Sequence, residues 1–396
     1  MTIMTVPGPD GPGFFAKVRA WIGPRPLQQI LMLAGILSIL WLFGSNTVDS
    51  MERLGIKPGF SFLSQQANFE IGESVIAYSS GDTYARALTA GLANTIKVAF
   101  FGCLLATILG VALGIARLSG NLLLSSFVYG YVEVLRSTPL LLQLFLWSAI
   151  SRSLPTPRGA FSPFDGFFLS NRGIFIPSLQ FEGLPATLWL PLLLAIIAVT
   201  IFLSRRLLTG VPYYFLKATG ILLSVILLYF AFLLTLGLSA SAELPAKGGF
   251  NIRGGLSLTP EFAALLVGLV VNASASISEI VRSGIQSVNN GQWEAARAMG
   301  LKRGHIMRLI VMPQALRVIT PLMTSSYLDL TKNSSLAVAI GFPDLVSVAN
   351  TTANTTGQVF ESISIIVAVY LTLNIGVSIL MNIYNRRVAL KGGDKR

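Results

Sequence analysis

The chain has 396 residues, 53% of them hydrophobic and 12% charged, with a formal net charge of +12. Soluble domains carry about 25% charged residues. Half that share, with a mean hydropathy of +0.69, excludes an ordinary soluble domain and points to a membrane protein. Cys103 is the only cysteine, so no intrachain disulfide forms. His305 is the only histidine, which rules out His-rich metal sites and argues against a histidine-based triad. No GxxxxGK[ST], HExxH or GxSxG sequence occurs, so the chain carries no recognisable ATPase or hydrolase machinery.

In chain order, residues 1–26 form an N-terminal segment. There Phe14, Phe15, Val18, Trp21 and Ile22 recur at helical spacing beside Lys17 and Arg19, as in a short interfacial helix. A spanning helix needs about 20 mostly apolar residues. Eight stretches are predicted to span: Leu27–Gly44, Leu92–Leu118, Leu123–Ile150, Ala186–Ser204, Ala218–Leu238, Phe262–Ile280, Leu309–Leu330 and Ser362–Tyr384. The first, within 27–45, is read as a retained anchor, because its apolar run is long and no A-x-A follows it. The seventh is interrupted by Pro313, Arg317 and Pro321. Residues 46–87 read as a polar outer segment, 88–387 as the main membrane body with residues 151–260 as an inserted region holding two spans, and 388–396 as a tail.

Lys and Arg fall mainly on one side of this layout. With the N-terminus inside, the inner segments hold Lys17, Arg19, Arg25, Arg117, Arg205, Arg206, Lys217, Arg282, Arg297, Lys302, Arg303 and Arg308, and then Arg386, Arg387, Lys391, Lys395 and Arg396. Asp10, Glu294 and Asp394 are the only acids there. Both termini are therefore expected in the cytoplasm. The same bias explains the net charge without nucleic acid, anionic lipid being the natural counter-charge.

The stretch from Gly291 to Leu301 breaks the apolar pattern. Trp293 to Met299 are mostly good helix formers and Gly300 is a natural stop. The spacing predicts a helix of about two turns, too short to be stable alone in water. Ala295, Ala296 and Ala298 permit close approach of a neighbour, Trp293 and Met299 offer contact area, and Glu294 suits the helix N-terminal dipole. On the residues alone, an ordinary amphipathic helix on the headgroups fits equally well.

The sequence "EAARAMG", Glu294 to Gly300, resembles the EAA---G signature of binding-protein-dependent ABC importer permeases. The resemblance extends to "EIVRSGIQSVNNGQWEAARAMGL", "MPQALRVITPLM", "EVLRSTPLLLQLF" and "LTKNSSLAVAIG", which are similar to the polar amino-acid branch. It covers about Leu88–Arg387, interrupted by residues 151–260, which short members lack. The long N-terminal and central segments resemble the Q-type permease subunit of general L-amino-acid importers. Ser137 stands where the branch usually has Gly, a small-for-small change. The resemblance implies an all-α polytopic protein with the type I ABC importer transmembrane fold and two extra helices. It implies that Gln292, Trp293, Glu294, Ala295, Ala296, Arg297, Ala298, Gly300 and Leu301 form an ATPase-coupling helix. The implied partners are an ATP-binding subunit dimer, a second permease (a related chain rather than a copy), a periplasmic amino-acid-binding protein and membrane lipid. No cofactor is expected on this chain; ATP and Mg belong to the partner ATPase. The implied location is the bacterial inner membrane.

Charges inside the spans are candidates for the substrate pathway. Glu133 and Arg136, three apart on one helix face, lie near mid-bilayer, and Thr138-Pro139 is predicted to break the helix just beyond Ser137. A charged pair beside a discontinuity suits both ends of a zwitterion, and equally a packing ion pair. Glu279 with Arg282, and Asp329 with Lys332, repeat the spacing, and Glu279–Arg282 is read first as a structural pair. Lys97 is expected to neutralise a carboxylate elsewhere or to reach the interface. The competing readings are an ion-coupled secondary transporter of small polar solutes and a scaffold or sensor without transport.

Overall fold

The computed structural model describes residues 26–53, 55, 59–181, 240–249 and 251–389. Among them are helices α1 (Pro26–Arg53), α2 (Tyr84–Arg117), α3 (Leu122–Ser137), α4 (Leu140–Ser153), α5 (Pro260–Gln286) and α6 (Asn290–Ala298). Next come α7 (Arg303–Ile306), a π turn at Met307–Val311, α8 (Met312–Asn333), a 3-10 turn at Ser334–Ile340, α9 (Leu345–Thr356) and α10 (Val359–Ala389). Among the described residues, five stretches are long and apolar enough to cross a bilayer, six if the bent pair α3–α4 counts as one. The predicted spans Ala186–Ser204 and Ala218–Leu238, and the interfacial helix at Phe14–Ile22, lie outside the described residues.

α5 is the centre of the bundle. It packs most extensively along α2, then against α4, α8 and α3, while α10 closes on α8 and α9. The α2–α5 contact depends on glycine. A Cβ on Gly110 would lie 2.6 Å from the Ile277 side chain, and one on Gly114 2.8 Å from Val281. Small residues one turn apart let two membrane helices approach this closely, which supplies dispersion contacts that lipid cannot replace. α1 stands apart: no residue of its most apolar stretch is buried by the rest of the described chain. It also runs past the predicted end at Gly44, and there the hydroxyls of Ser45, Thr47 and Ser50 are satisfied by donating back to carbonyls within the helix.

The third predicted span is not one straight helix. It bends by 107° between α3 and α4 at Thr138-Pro139, the position where proline removes a backbone donor. The seventh is more continuous than its prolines suggest. It starts at Arg303 and passes through the π turn just before Pro313, while Pro321 sits inside α8. α9 lies in a Thr-rich stretch that carries no apolar run. The Asp344 side chain caps it by accepting from Ser347 N, and Gly357, at φ 75°, ends it.

The fold is helical with a small β addition in the inserted region. β1 (Phe168–Ser170), β2 (Gly173–Ile176) and β7 (Leu256–Leu258) form an antiparallel sheet in the order β1-β2-β7. β3 (Ser178–Phe181) pairs with β4 (Ala240–Glu243), and β5 (Ala246–Gly248) with β6 (Asn251–Arg253). Phe181 lies opposite Ala240, so the chain leaves and re-enters this region at one place. Runs of three or four residues are too short to show strand alternation in sequence.

Candidate functional site: a short capped helix and a broken span

α6 is built to stay short. At its start the Asn289 side chain accepts from Gly291 N at 2.8 Å. At its end Leu301 N donates to Ala296 O (3.2 Å) and Gly300 N to Arg297 O (2.9 Å). That pair of bonds is a Schellman motif, which requires a left-handed residue, and Gly300 has φ 74°. The helix therefore begins one residue before the predicted Gly291 and ends where Gly300 placed it.

The faces of α6 divide sharply. Ala296 is fully buried, in a cluster with Ile285 in the last turn of α5, Val288 just after it, Ile306 of α7, Val311 of the π turn and Ala315 of α8. Trp293 is half-buried against the same cluster, so its ring serves partly as a brace to its own chain. Gln292, Glu294, Ala295, Arg297, Ala298 and Met299 are exposed. A cavity of about 730 Å³ adjoins α6, lined by Leu118, Ile285, Trp293, Glu294, Arg297 and Arg303 among others. Ala296 thus packs α6 against the end of α5 and the start of α8.

At the same end Glu279 of α5 pairs with both Arg117, the last residue of α2, and Arg282. The Glu279–Arg282 pairing expected from spacing is present, and Arg117 adds a tie between two helices. At the opposite end Lys97 pairs with Glu73 at 2.5 Å and lies 4.0 Å over the Phe262 ring. The Thr259 hydroxyl, which caps α5, also bonds Glu73. Lys97 thus neutralises a carboxylate, one of the two roles expected for it.

Around the α3–α4 break the freed carbonyls are held by side chains. Thr138 Oγ1 donates to Val134 O (3.0 Å), and Gln143 Nε2 donates to Leu135 O (2.9 Å) and Thr138 O (3.1 Å). Gln143 is buried, and its Oε1 has no partner. Asn272 of α5 reaches Leu135 O from the side (3.4 Å). A narrow cavity of about 60 Å³ follows, lined by Leu140, Asn272, Ser276, Ser326, Asp329 and Asn333 among others. Glu133, Arg136, Ser137, Thr138 and Pro139 are exposed, and no ion pair joins Glu133 to Arg136 among the described residues. Asp329 and Lys332 are 4.0 Å apart and mostly exposed. The charges here stand out in the sequence, whereas Gln143 and Asn272, which reach carbonyls of α3, and Ser276, Ser326 and Asn333, which line the cavity, are neutral residues whose convergence no spacing rule announces. Among the described residues no group of three or more His, Cys, Asp or Glu is placed to hold a metal ion.

Residues 106–390 match the family model described as binding-protein-dependent transport system inner membrane component. The chain is 44% identical to the putative amino-acid ABC transporter permease protein YhdX of Escherichia coli K12, over 94% of this chain and 95% of that one. It is 42% identical to the general L-amino acid transport system permease protein AapQ of Rhizobium johnstonii, over 91% of each. It is also 35% identical to the glutamate/glutamine/aspartate/asparagine transport system permease protein BztB of Rhodobacter capsulatus, over 92% and 93%. A crystal structure of an amino acid ABC transporter with histidines aligns at TM-score 0.47 and 23% identity, covering 77% of this chain and 95% of that one. The chain belongs to the binding-protein-dependent transport system inner membrane components, the membrane-spanning permeases of ABC transporters.

Proposed function

We propose that this permease forms half of the membrane pathway of an ATP-driven amino-acid importer, and that α6 is the handle by which a separate ATPase subunit moves it. The observation that carries the reading is α6 itself: nine residues, capped at both ends, seated on a buried Ala296, with the opposite face free. A helix so short needs a rigid seat to transmit force, and this one has it. The amino-acid cargo is supported by three relatives at 35–44% identity that are named as amino-acid permeases.

In this reading the α6 end faces the cytoplasm of a bacterial cell, with both termini on that side. The clustering of Arg117, Arg282, Arg297, Lys302 and Arg303 there supports it, against Glu70, Glu73, Glu261, Asp344 and Glu361 toward the other end. A binding protein delivers the amino acid to that other end. A second permease, a related chain, completes the pathway. ATP and Mg are held by the partner ATPase dimer, and this chain supplies no catalytic residue. The pathway follows the α3–α4 break, where Glu133, Arg136, Ser137, Thr138 and Pro139 are exposed, and the Asn272–Asp329 cavity with Lys332 at its rim. Glu279 ties the inner ends of the helices that must move.

The test is uptake in cells carrying Glu294→Lys, which reverses a charge on the exposed face of α6 without touching its seat. The expected result is normal chain level in the membrane with uptake abolished, and Arg136→Ala or Asp329→Ala should lower uptake more than chain level. Full uptake by the Glu294→Lys transporter contradicts the coupling role.

A further inference from the structure

Beside the coupling groove, on the other side of Gln286, lies a second cavity. It measures about 330 Å³ and is lined by Arg117, Ser125, Ser126, Tyr129, Arg282 and Gln286. It sits where the end of α2, the start of α3 and the end of α5 converge. No carboxylate lines it. Glu279 holds both arginines from the bundle side, so the three charges sum to one positive charge. Arg117 engages Glu279 through Nη1, and its guanidinium lies 5.0 Å over the Tyr129 ring, which orients it without consuming the remaining N–H groups. Ser125 is committed to the Arg117 carbonyl, while the Ser126 side chain is exposed at the rim. Flanking Ser125 and Ser126 on α3, Leu122, Leu123 and Phe127 are among the most exposed apolar residues of the described chain, at 79%, 82% and 74%.

A cationic recess bordered by bare apolar surface, at the end of a bundle that spans a membrane, matches one kind of molecule. We infer that this cavity holds the headgroup of an anionic phospholipid, its phosphate against Arg117 and Arg282 and its acyl chains along Leu122, Leu123 and Phe127. The Arg117 guanidinium, bonded to Glu279 through Nη1, keeps donors of the kind phosphate accepts best, while Arg282, whose Nε and Nη2 serve Glu279 and whose Nη1 serves Gln286, adds its charge; basic recesses between spanning helices on the cytoplasmic side are where acidic headgroups lodge. A free phosphate ion satisfies the same polar groups but leaves the apolar border bare, so the two sources are separable by experiment. The inference goes beyond the coupling role and does not depend on uptake.

The test uses the full-length chain purified with its accompanying subunits in mild detergent. Thermal unfolding is followed while phosphatidylglycerol, phosphatidylcholine with the same acyl chains, or inorganic phosphate is titrated. The expected result is half-maximal stabilisation by phosphatidylglycerol at about fivefold lower concentration than by phosphatidylcholine, the size set by one basic contact. Ser126→Glu, a rim substitution that leaves the Glu279 pairs intact, should remove that difference, and Ser126→Gln should keep it. Equal response to the two lipids, or no effect of Ser126→Glu, overturns the proposal. Stabilisation reproduced by inorganic phosphate alone assigns the cavity to a soluble anion and overturns the lipid.

Discussion

Gly300→Ala isolates the backbone term in the coupling helix. Nothing lies within 4 Å of the Cβ this change would add, so no clash contributes. The cost comes from φ 74°, where a side chain meets the following carbonyl, and amounts to about 1–2 kcal/mol. A nine-residue helix has little to offset it, because helices this short are marginal without tertiary support. The seat on Ala296 supplies that support, so α6 should fray at its C-terminal end and not dissolve. A change of about 1–2 kcal/mol raises the frayed population roughly 5–30-fold. Amide exchange at Gly300 and Leu301, whose N–H groups close the Schellman motif, should accelerate by that factor, with exchange in α5 unchanged. Gly300→Asn, which tolerates the left-handed conformation better, should fall between wild type and Ala. Identical exchange at these two amides in Ala and wild type would refute the claim that the cap limits α6.

Two further outcomes follow from packing and burial. Gly110→Val places a branched side chain where even a Cβ lies 2.6 Å from Ile277, so α2 must separate from α5 at an overpacking cost of about 1–3 kcal/mol. The detergent-solubilised chain should unfold at a lower temperature, and an unchanged midpoint would contradict the close approach. Asp344, outside the spanning segments, is buried where α2, α9 and α10 meet, and burial pushes its carboxyl up from 3.8 to about 6. The folded-state value lies above the unfolded one, so the ionised form is penalised. That penalty is absent below about pH 4, grows between 4 and 6, and is complete above 6, on the order of 3 kcal/mol. Asp344→Asn keeps an acceptor for Ser347 N and removes the charge, so the loss of stability on raising pH from 4 to 6 should be smaller in the variant. Equal slopes would contradict the assignment.

The residues that were legible in the sequence are those whose chemistry acts locally. Gly300 ends α6 because of its own backbone, and Pro139 breaks the third span because it lacks a donor; neither depends on distant contacts. Glu279 meets Arg282 because three residues on a helix bring side chains together. What was not legible depends on partners far along the chain. Gly110 and Gly114 matter because Ile277 and Val281 lie across from them. Gln143 and Asn272 matter because both reach the Leu135 carbonyl. α9 was hidden by its composition: its threonines, here bonding back to carbonyls one turn earlier, disfavour helix in isolation, although Asp344 and Gly357 bracket it as cap and stop. Glu133 and Arg136, weighed equally as a zwitterion site and as a packing ion pair, form no ion pair with each other, because spacing gives opportunity only and both side chains are exposed.

Photo-crosslinking from α6 in native membranes tests the central claim most directly. A benzophenone amino acid in place of Ala298, on the exposed face, should capture an ATP-binding subunit in high yield. The same probe in place of Phe161, an exposed residue in the inserted region at the other end, should not. No capture of an ATP-binding subunit from position 298, with the chain present at wild-type level, would contradict the account.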